Sequence, residues 1–332
     1  MSGANIAYHL RQNKAVDRYA FIELLGKIDR VSPIYEYQYI GFGGHSLEDF
    51  KYIHERFGLK NMISIENNLE VCKRQAFNQP YSCIKRINQD SHDFINNYDR
   101  QEKTIIWLDY TDPKQLRRQI EEFHQVIQHL DTFDIIKITL NAHPPSYLSA
   151  PQGASSSEIK KLRINRLKEI LGEEDLFPSA DISEDMMTPK RFPHALTLIL
   201  KYAANLALRG NNNLFFQPLT CFSYADGMQM MTLTGIILDN DKKQRKDFLT
   251  STKLQKWALI NGDWSEPLSI NIPDLTVRER LYIDSLLPKA SSKTIQKKLG
   301  FNFARTEKDS LEMIEMYIMF YRQSPYFSRI FI

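Results

Sequence analysis

Several residues fall where their types and spacing could do chemistry together. Gly41-Phe42-Gly43-Gly44 ends an apolar, aromatic run, Tyr37-Gln38-Tyr39-Ile40, and Leu47 to Phe57 follows with helical spacing. Glycines let the backbone turn tightly and approach a ligand, and the next helix offers free N–H groups at its start. About twenty residues on, the apolar run Met62-Ile63-Ser64-Ile65 ends in Glu66, followed by Asn67. A carboxylate there can accept hydrogen bonds from both hydroxyls of a ribose. Gly41, Phe42, Gly43, Gly44, Glu66 and Asn67 are therefore expected to hold an adenosine-bearing cofactor. Asp90-Ser91 closes a third strand candidate, Ser82 to Asn88, where an acid or amide could meet the adenine amino group. Asp109 ends the apolar run Thr104 to Leu108, and open parallel sheets bind ligands outside the carboxyl ends of their strands. It is placed to face both cofactor and reaction centre. His143, just past a fifth strand candidate, is the other group expected at the centre, as a general base.

Three adenosine cofactors compete. A Walker-type phosphate loop needs Gly-x-x-x-x-Gly-Lys-Ser/Thr, which the chain lacks. NAD sites favour Gly-x-Gly-x-x-Gly, and here the third glycine is replaced by Ser46. The short turn Gly41-Phe42-Gly43-Gly44 suits S-adenosylmethionine, where no pyrophosphate has to be seated. The acids at Asp109 and Asp112, with Asn141, are hard oxygen groups of the kind magnesium takes, but no metal is expected.

The elements that must position these residues alternate strand and helix. After Phe133 to Leu140, the fifth strand candidate, comes an amphipathic helix from Phe192 to Leu208. Two further strands, Asn213 to Tyr224 and Met228 to Asp239, meet at Ala225-Asp226-Gly227, a hairpin turn sequence. Five alternating units and a terminal antiparallel hairpin predict an α/β fold with a Rossmann-like, seven-stranded class I methyltransferase sheet. Residues 1–34 are expected as an N-terminal helical segment and 35–240 as the core, with an insertion at 141–191. The insertion is long for a strand-to-helix connection and leaves from the carboxyl end of the fifth strand, which suggests a lid. Ser155 and Glu158 form a capping-box pattern that opens its helix. Residues 241–332 read as a helical C-terminal module: Thr276 to Leu287, Ser292 to Leu299, and Thr306 to Arg322 with Leu311, Ile314, Ile318 and Tyr321 on one face.

The run from Tyr39 to Phe50 (YIGFGGHSLEDF), then His54 and Met62-Ile63-Ser64-Ile65-Glu66, resembles a bacterial family described as "putative O-methyltransferases". The resemblance covers Tyr37 to Glu66 specifically and continues, more weakly, through Asp109 and the hairpin. It implies a class I transferase fold and S-adenosyl-L-methionine as methyl donor. Tyr39 departs from the acid that methyltransferases commonly carry two places before the first glycine. The acceptor expected is a small molecule, with oxygen as one candidate atom. A different class of function stays open: a methyltransferase-fold binding protein that recognises nucleic acid or a protein partner without turnover. The basic stretch Lys160, Lys161, Arg163, Arg166 and Lys168, and Lys293, Gln296, Lys297 and Lys298 in the C-terminal module, are the residues that would serve it.

Composition bounds the rest. At 332 residues, 42% hydrophobic and 25% charged, with net charge +3, the chain has the make-up of a globular protein and too mild a balance to demand nucleic acid. No apolar stretch is long enough to span a bilayer, and the N-terminus lacks an apolar signal core. Cys72, Cys83 and Cys221 are scattered, which suggests neither a disulfide framework nor a zinc site, so a cytoplasmic location is expected. The aromatic C-terminal residues, among them Phe320, Tyr326, Phe327 and Phe331, suggest packing or oligomerisation through that module.

Overall fold

The structure is a computed structural model that describes residues 11–324; Tyr326, Phe327 and Phe331 lie outside the described residues. Its centre is an eight-stranded sheet in the order β3-β2-β1-β4-β5-β7-β6-β8. The strands are β1 (Gln38–Gly41), β2 (Asn61–Glu66), β3 (Ile84–Asn88), β4 (Thr104–Asp109), β5 (Ile135–Asn141), β6 (Leu214–Asp226), β7 (Met228–Asp239) and β8 (Leu268–Ile270). β1 to β5 are parallel neighbours, and β7 runs antiparallel to β5. The chain order reverses at β1, between β2 and β4, so the glycine turn sits where ligands collect in such sheets. The short β8 was not foreseen. Three residues between Pro267 and Pro273 give too little alternation to read as a strand.

The central strands β4 and β5 are buried on both faces, which explains their continuous apolar runs. Ile106 and Leu108 of β4 join Ile136, Ile138 and Leu140 of β5 in one core, with Ile120, Phe123 and Ile127 of α5 (Leu116–His129) and Leu196, Ile199 and Leu200 of α7 (Phe192–Ala207). The alternate residues Ile105 and Trp107 are equally buried and point to the opposite face. The helix of the insertion, α6 (Ser156–Leu171), has the expected capping box of Ser155 and Glu158. Ile164, Leu167 and Leu171 place it in the same core, and Arg117 of α5 donates to the Leu171 carbonyl at 3.1 Å. The insertion is thus a packed part of the scaffold along this helix, not a loose flap. Three of its cations are engaged within the insertion. Lys160 pairs with Asp185 at 2.8 Å, Arg166 with Glu169 at 3.0 Å, and Arg163 donates to the Met187 carbonyl at 3.1 Å.

The described residues form two compact units. One holds 22–223 and 228–268; the other holds residues through Phe21, the hairpin tip Tyr224–Gly227 and the chain from Ser269 onward. The second unit therefore begins at Ser269, past the 241 boundary read from composition, and it takes in part of α1 (Gln12–Ile28). Asp226 caps that helix from far along the chain, accepting the backbone N–H groups of Asn13 at 3.1 Å and Lys14 at 2.8 Å. Asp226→Ala is expected to lower stability by about 1–2 kcal/mol, read as a shift in the denaturant midpoint. An unchanged midpoint would show that water replaces the cap. Within the same unit, α9 (Val277–Leu286), α10 (Ser292–Leu299) and α11 (Glu307–Phe320) match the expected helices. The buried face of α11 differs: it is Ser310, Ile314, Tyr317 and Phe320. Polar tips decide the rotation, because the Tyr317 hydroxyl donates to Asp284 at 2.7 Å and the Ser310 hydroxyl to Gln296 at 3.0 Å. Gln296 is thereby turned inward. No helix among the described residues is long and apolar enough to cross a membrane.

Candidate functional site

The glycine turn is built by close approach. Gly43 and Gly44 both have positive φ, +49° and +51°. A Cβ on Gly43 would sit 2.6 Å from Leu47 Cδ2, 2.7 Å from Ser64 Oγ and 3.0 Å from Phe50 Cε2. Leu47, at the start of α2 (Glu48–Phe57), is itself left-handed with φ 52°, a conformation that a bulky residue keeps only under external constraint. Tyr39, standing where an acid was expected, is buried. Its ring packs edge-on to Phe50 with centroids 4.8 Å apart, and its hydroxyl lies close beneath Gly41.

A clamp on this turn escaped the sequence reading. Gln75 of α3 (Leu69–Asn78) is fully buried, donates to the Gly44 carbonyl at 2.7 Å and accepts from the Ser64 hydroxyl at 3.2 Å. Asn78, one turn on, donates to the His45 carbonyl at 2.8 Å. Gln75→Leu would leave these buried groups unsatisfied, which costs about 1–3 kcal/mol. The variant is expected to lose that much stability in urea and to bind cofactor more weakly. Unaltered cofactor affinity would show that the turn holds itself.

Glu66 ends β2 half-buried, and its Oε1 accepts the backbone N–H of Asn68 at 2.8 Å. Burial pushes its carboxyl above the usual range, while the Asn68 and Asn67 N–H groups pull the other way. The exposed Asn67 contributes this backbone contact, and Asn68 caps α3. On the neighbouring strand, in register Glu66↔Asn88, the chain continues to Asp90 and Ser91. Asp90 caps α4 (Ser91–Asn96) by accepting the His92 N–H at 2.9 Å and also pairs with Arg118 of α5. Tyr110, next after Asp109, stands edge-on to Phe42 with centroids 5.3 Å apart and donates to the buried Glu122. Burial first, then the Glu122 charge, pushes the Tyr110 phenol well up.

Asp109 is half-buried at the tip of β4, beside Thr139 of β5. His143 leaves the tip of β5, and its backbone N–H donates to Asn141 Oδ1 at 3.0 Å. The Tyr147 hydroxyl also donates to the Asn141 carbonyl at 2.6 Å, so Asn141 shapes the turn into Pro144–Ser146. Asp112 is likewise a cap, accepting the Lys114 N–H at 3.0 Å. Asn141 and Asp112, two of the three oxygen groups of magnesium-binding type, are thus spent on backbone. No group of three or more His, Cys, Asp and Glu among the described residues is placed to share a metal ion. His54 serves the scaffold. Its Nδ1 bonds the Leu59 carbonyl at 2.8 Å and its ring lies 4.2 Å from that of Tyr81, tying the end of α2 to the approach of β2.

Glu66 at the tip of β2 and Asp90 past the tip of β3 are hydrogen-bond acceptors, and Phe42 and Tyr110 pack edge-on to each other past the tips of β1 and β4. The family described as "Putative O-methyltransferase" matches residues 6–332. No curated protein matches the chain. Among solved structures, a chain of the fibrillarin/Nop5p complex shares 12% identity over 40% of this chain and 61% of its own length, with TM-score 0.28. The plantazolicin methyltransferase BamL, in complex with a triazolic desmethylPZN analog and SAH, shares 10% over 70% of this chain and 86% of its own, with TM-score 0.37. The N-methyltransferase NodS from Bradyrhizobium japonicum shares 9% over 67% of this chain and 97% of its own, also with TM-score 0.37. None of these likenesses bears on what this chain methylates.

Proposed function

The chain belongs to the family described as "Putative O-methyltransferase", and from that premise we propose that it transfers a methyl group from S-adenosylmethionine to a small-molecule acceptor. The observation that carries the reading is the pairing, at a chain reversal in the sheet, of the left-handed turn Gly43-Gly44 with the strand-end carboxylate Glu66. S-adenosylmethionine supplies an electrophilic methyl carbon on a sulfonium sulfur. Around it, Glu66 would accept the ribose hydroxyls and Asp90 the adenine amine, and Phe42 with Tyr110 would border the base. Asp109 and His143 leave adjacent strand tips, on the side where an acceptor must enter. Alignment is the main task for so reactive a donor, and a hydroxyl acceptor also needs its proton removed. His143 is the group proposed to take that proton, with Asp109 holding the acceptor in line. The insertion, which begins at Asn141 and includes His143, supplies the acceptor side of the site.

Incubating the full chain with methyl-labelled S-adenosylmethionine and a fractionated cell extract tests this. Label is expected in the small-molecule fraction. Label in nucleic acid would replace the acceptor class. Tight cofactor binding with no transfer to any fraction would favour a binding protein on the same fold.

A further inference from the structure

Asp90 is held more firmly than a helix cap requires. Its Oδ1 takes both the His92 N–H and the Arg118 guanidinium, while Oδ2 has no hydrogen-bond partner among the described residues. Arg118 is fixed in turn by its Nε, which donates to Glu122 Oε1 at 2.7 Å. The Glu122 side chain is 1% exposed, and its Oε2 receives the Tyr110 hydroxyl. The chain of contacts therefore starts beyond the tip of β3, passes through α5 and returns beside the tip of β4. Both of its ends border the proposed adenine position. A buried carboxylate is costly unless paired and hydrogen-bonded, and capping a helix of six residues does not call for one.

We propose that Arg118 and Glu122 are positioning residues that set the base specificity of the cofactor pocket. They hold Asp90 so that Oδ2 accepts the exocyclic amine of adenine and rejects a base carrying a carbonyl there. This rests on the adenosine reading above. A carboxylate pinned through one oxygen cannot swing away from a mismatched base, and it offers only lone pairs. Adenine meets it with a charge-assisted hydrogen bond, whereas the 6-oxygen of hypoxanthine meets it with repulsion. Sites built on a placed polar group discriminate strongly against an analogue lacking the matching partner.

The test compares S-adenosylhomocysteine with S-inosylhomocysteine by calorimetry on the full chain. The parent is expected to favour the adenine compound by roughly tenfold to a hundredfold. Arg118→Gln should bring that ratio close to one while S-adenosylhomocysteine still binds. Tyr110→Phe, a milder change that removes one donor from Glu122, should move the ratio in the same direction. Asp90→Asn can present an amide N–H to the 6-oxygen and should shift preference toward the inosine compound. A merely structural pin between α4 and α5 would weaken both ligands alike. A parental ratio preserved in Arg118→Gln and Tyr110→Phe would therefore overturn the proposal, as would a parent that does not discriminate. A parent that binds neither ligand would instead sink the adenosine reading itself.

Discussion

Replacing Gly43 by alanine is expected to abolish cofactor binding and to lower folding stability by about 2–6 kcal/mol. Two independent costs combine. The backbone is left-handed at φ +49°, which a residue with a Cβ adopts at a cost of about 1–3 kcal/mol. The new methyl would also lie 2.6 Å from Leu47 Cδ2 and 2.7 Å from Ser64 Oγ. Leu47, Ser64 and Phe50 are all fully buried, so none can swing aside, and overpacking of this kind costs about 1–3 kcal/mol. The turn must then open, which carries Phe42 and Gly44 away from the pocket. Thermal unfolding with and without S-adenosylhomocysteine reads both effects. A variant that keeps ligand-induced stabilisation would show that the turn is not part of the cradle.

The second large effect is at Glu66. Glu66→Ala should weaken cofactor binding by about 2–4 kcal/mol, because two charge-assisted hydrogen bonds to the ribose are lost in a half-buried place. Asp109→Ala should leave binding close to that of the parent and lower turnover instead. The acidity of Glu66 adds a pH signature. Burial raises its carboxyl, and only the ionised form accepts both hydroxyls. Affinity is therefore full above the raised value and falls as pH drops through it. For the unliganded protein the sign is opposite. A carboxyl whose folded value lies above its unfolded one works against the fold once pH rises past the unfolded value, so this group's contribution improves on acidification. Binding and unliganded stability should thus diverge with falling pH, and Glu66→Gln should flatten the Glu66 part of both. Parallel curves in the parent would place the ribose elsewhere.

The parts of the site legible in the sequence are those written in local order. The glycine turn, the helix after it and Glu66 lie within one strand–helix–strand unit, and the alternation of apolar runs gives their mutual placement. The capping box at Ser155 is equally local, since both partners fall within one turn. Gln75 was missed because its partners, Gly44 and Ser64, lie far back along the chain, and a single glutamine on a mostly polar helix looks solvated. Only the structure shows that it is the one buried residue of α3. Arg118 and Glu122 were hidden for the same reason, an i,i+4 pair that reads as surface decoration until Asp90 and Tyr110 arrive from other elements. The packing of α6 was illegible for another cause. Its apolar residues spread around the helix, with Leu162 left exposed while Leu167 and Leu171 are buried, so no single stripe announces a core face.

The most direct test is a calorimetric titration of the full chain with S-adenosylhomocysteine and, separately, with NAD, in the parent and in Glu66→Ala. The expected result is saturable one-to-one binding of S-adenosylhomocysteine to the parent, most of that affinity lost in Glu66→Ala, and no binding of NAD. Binding of NAD alone, or S-adenosylhomocysteine bound equally well by the parent and by Glu66→Ala, would contradict a cofactor site at these strand tips.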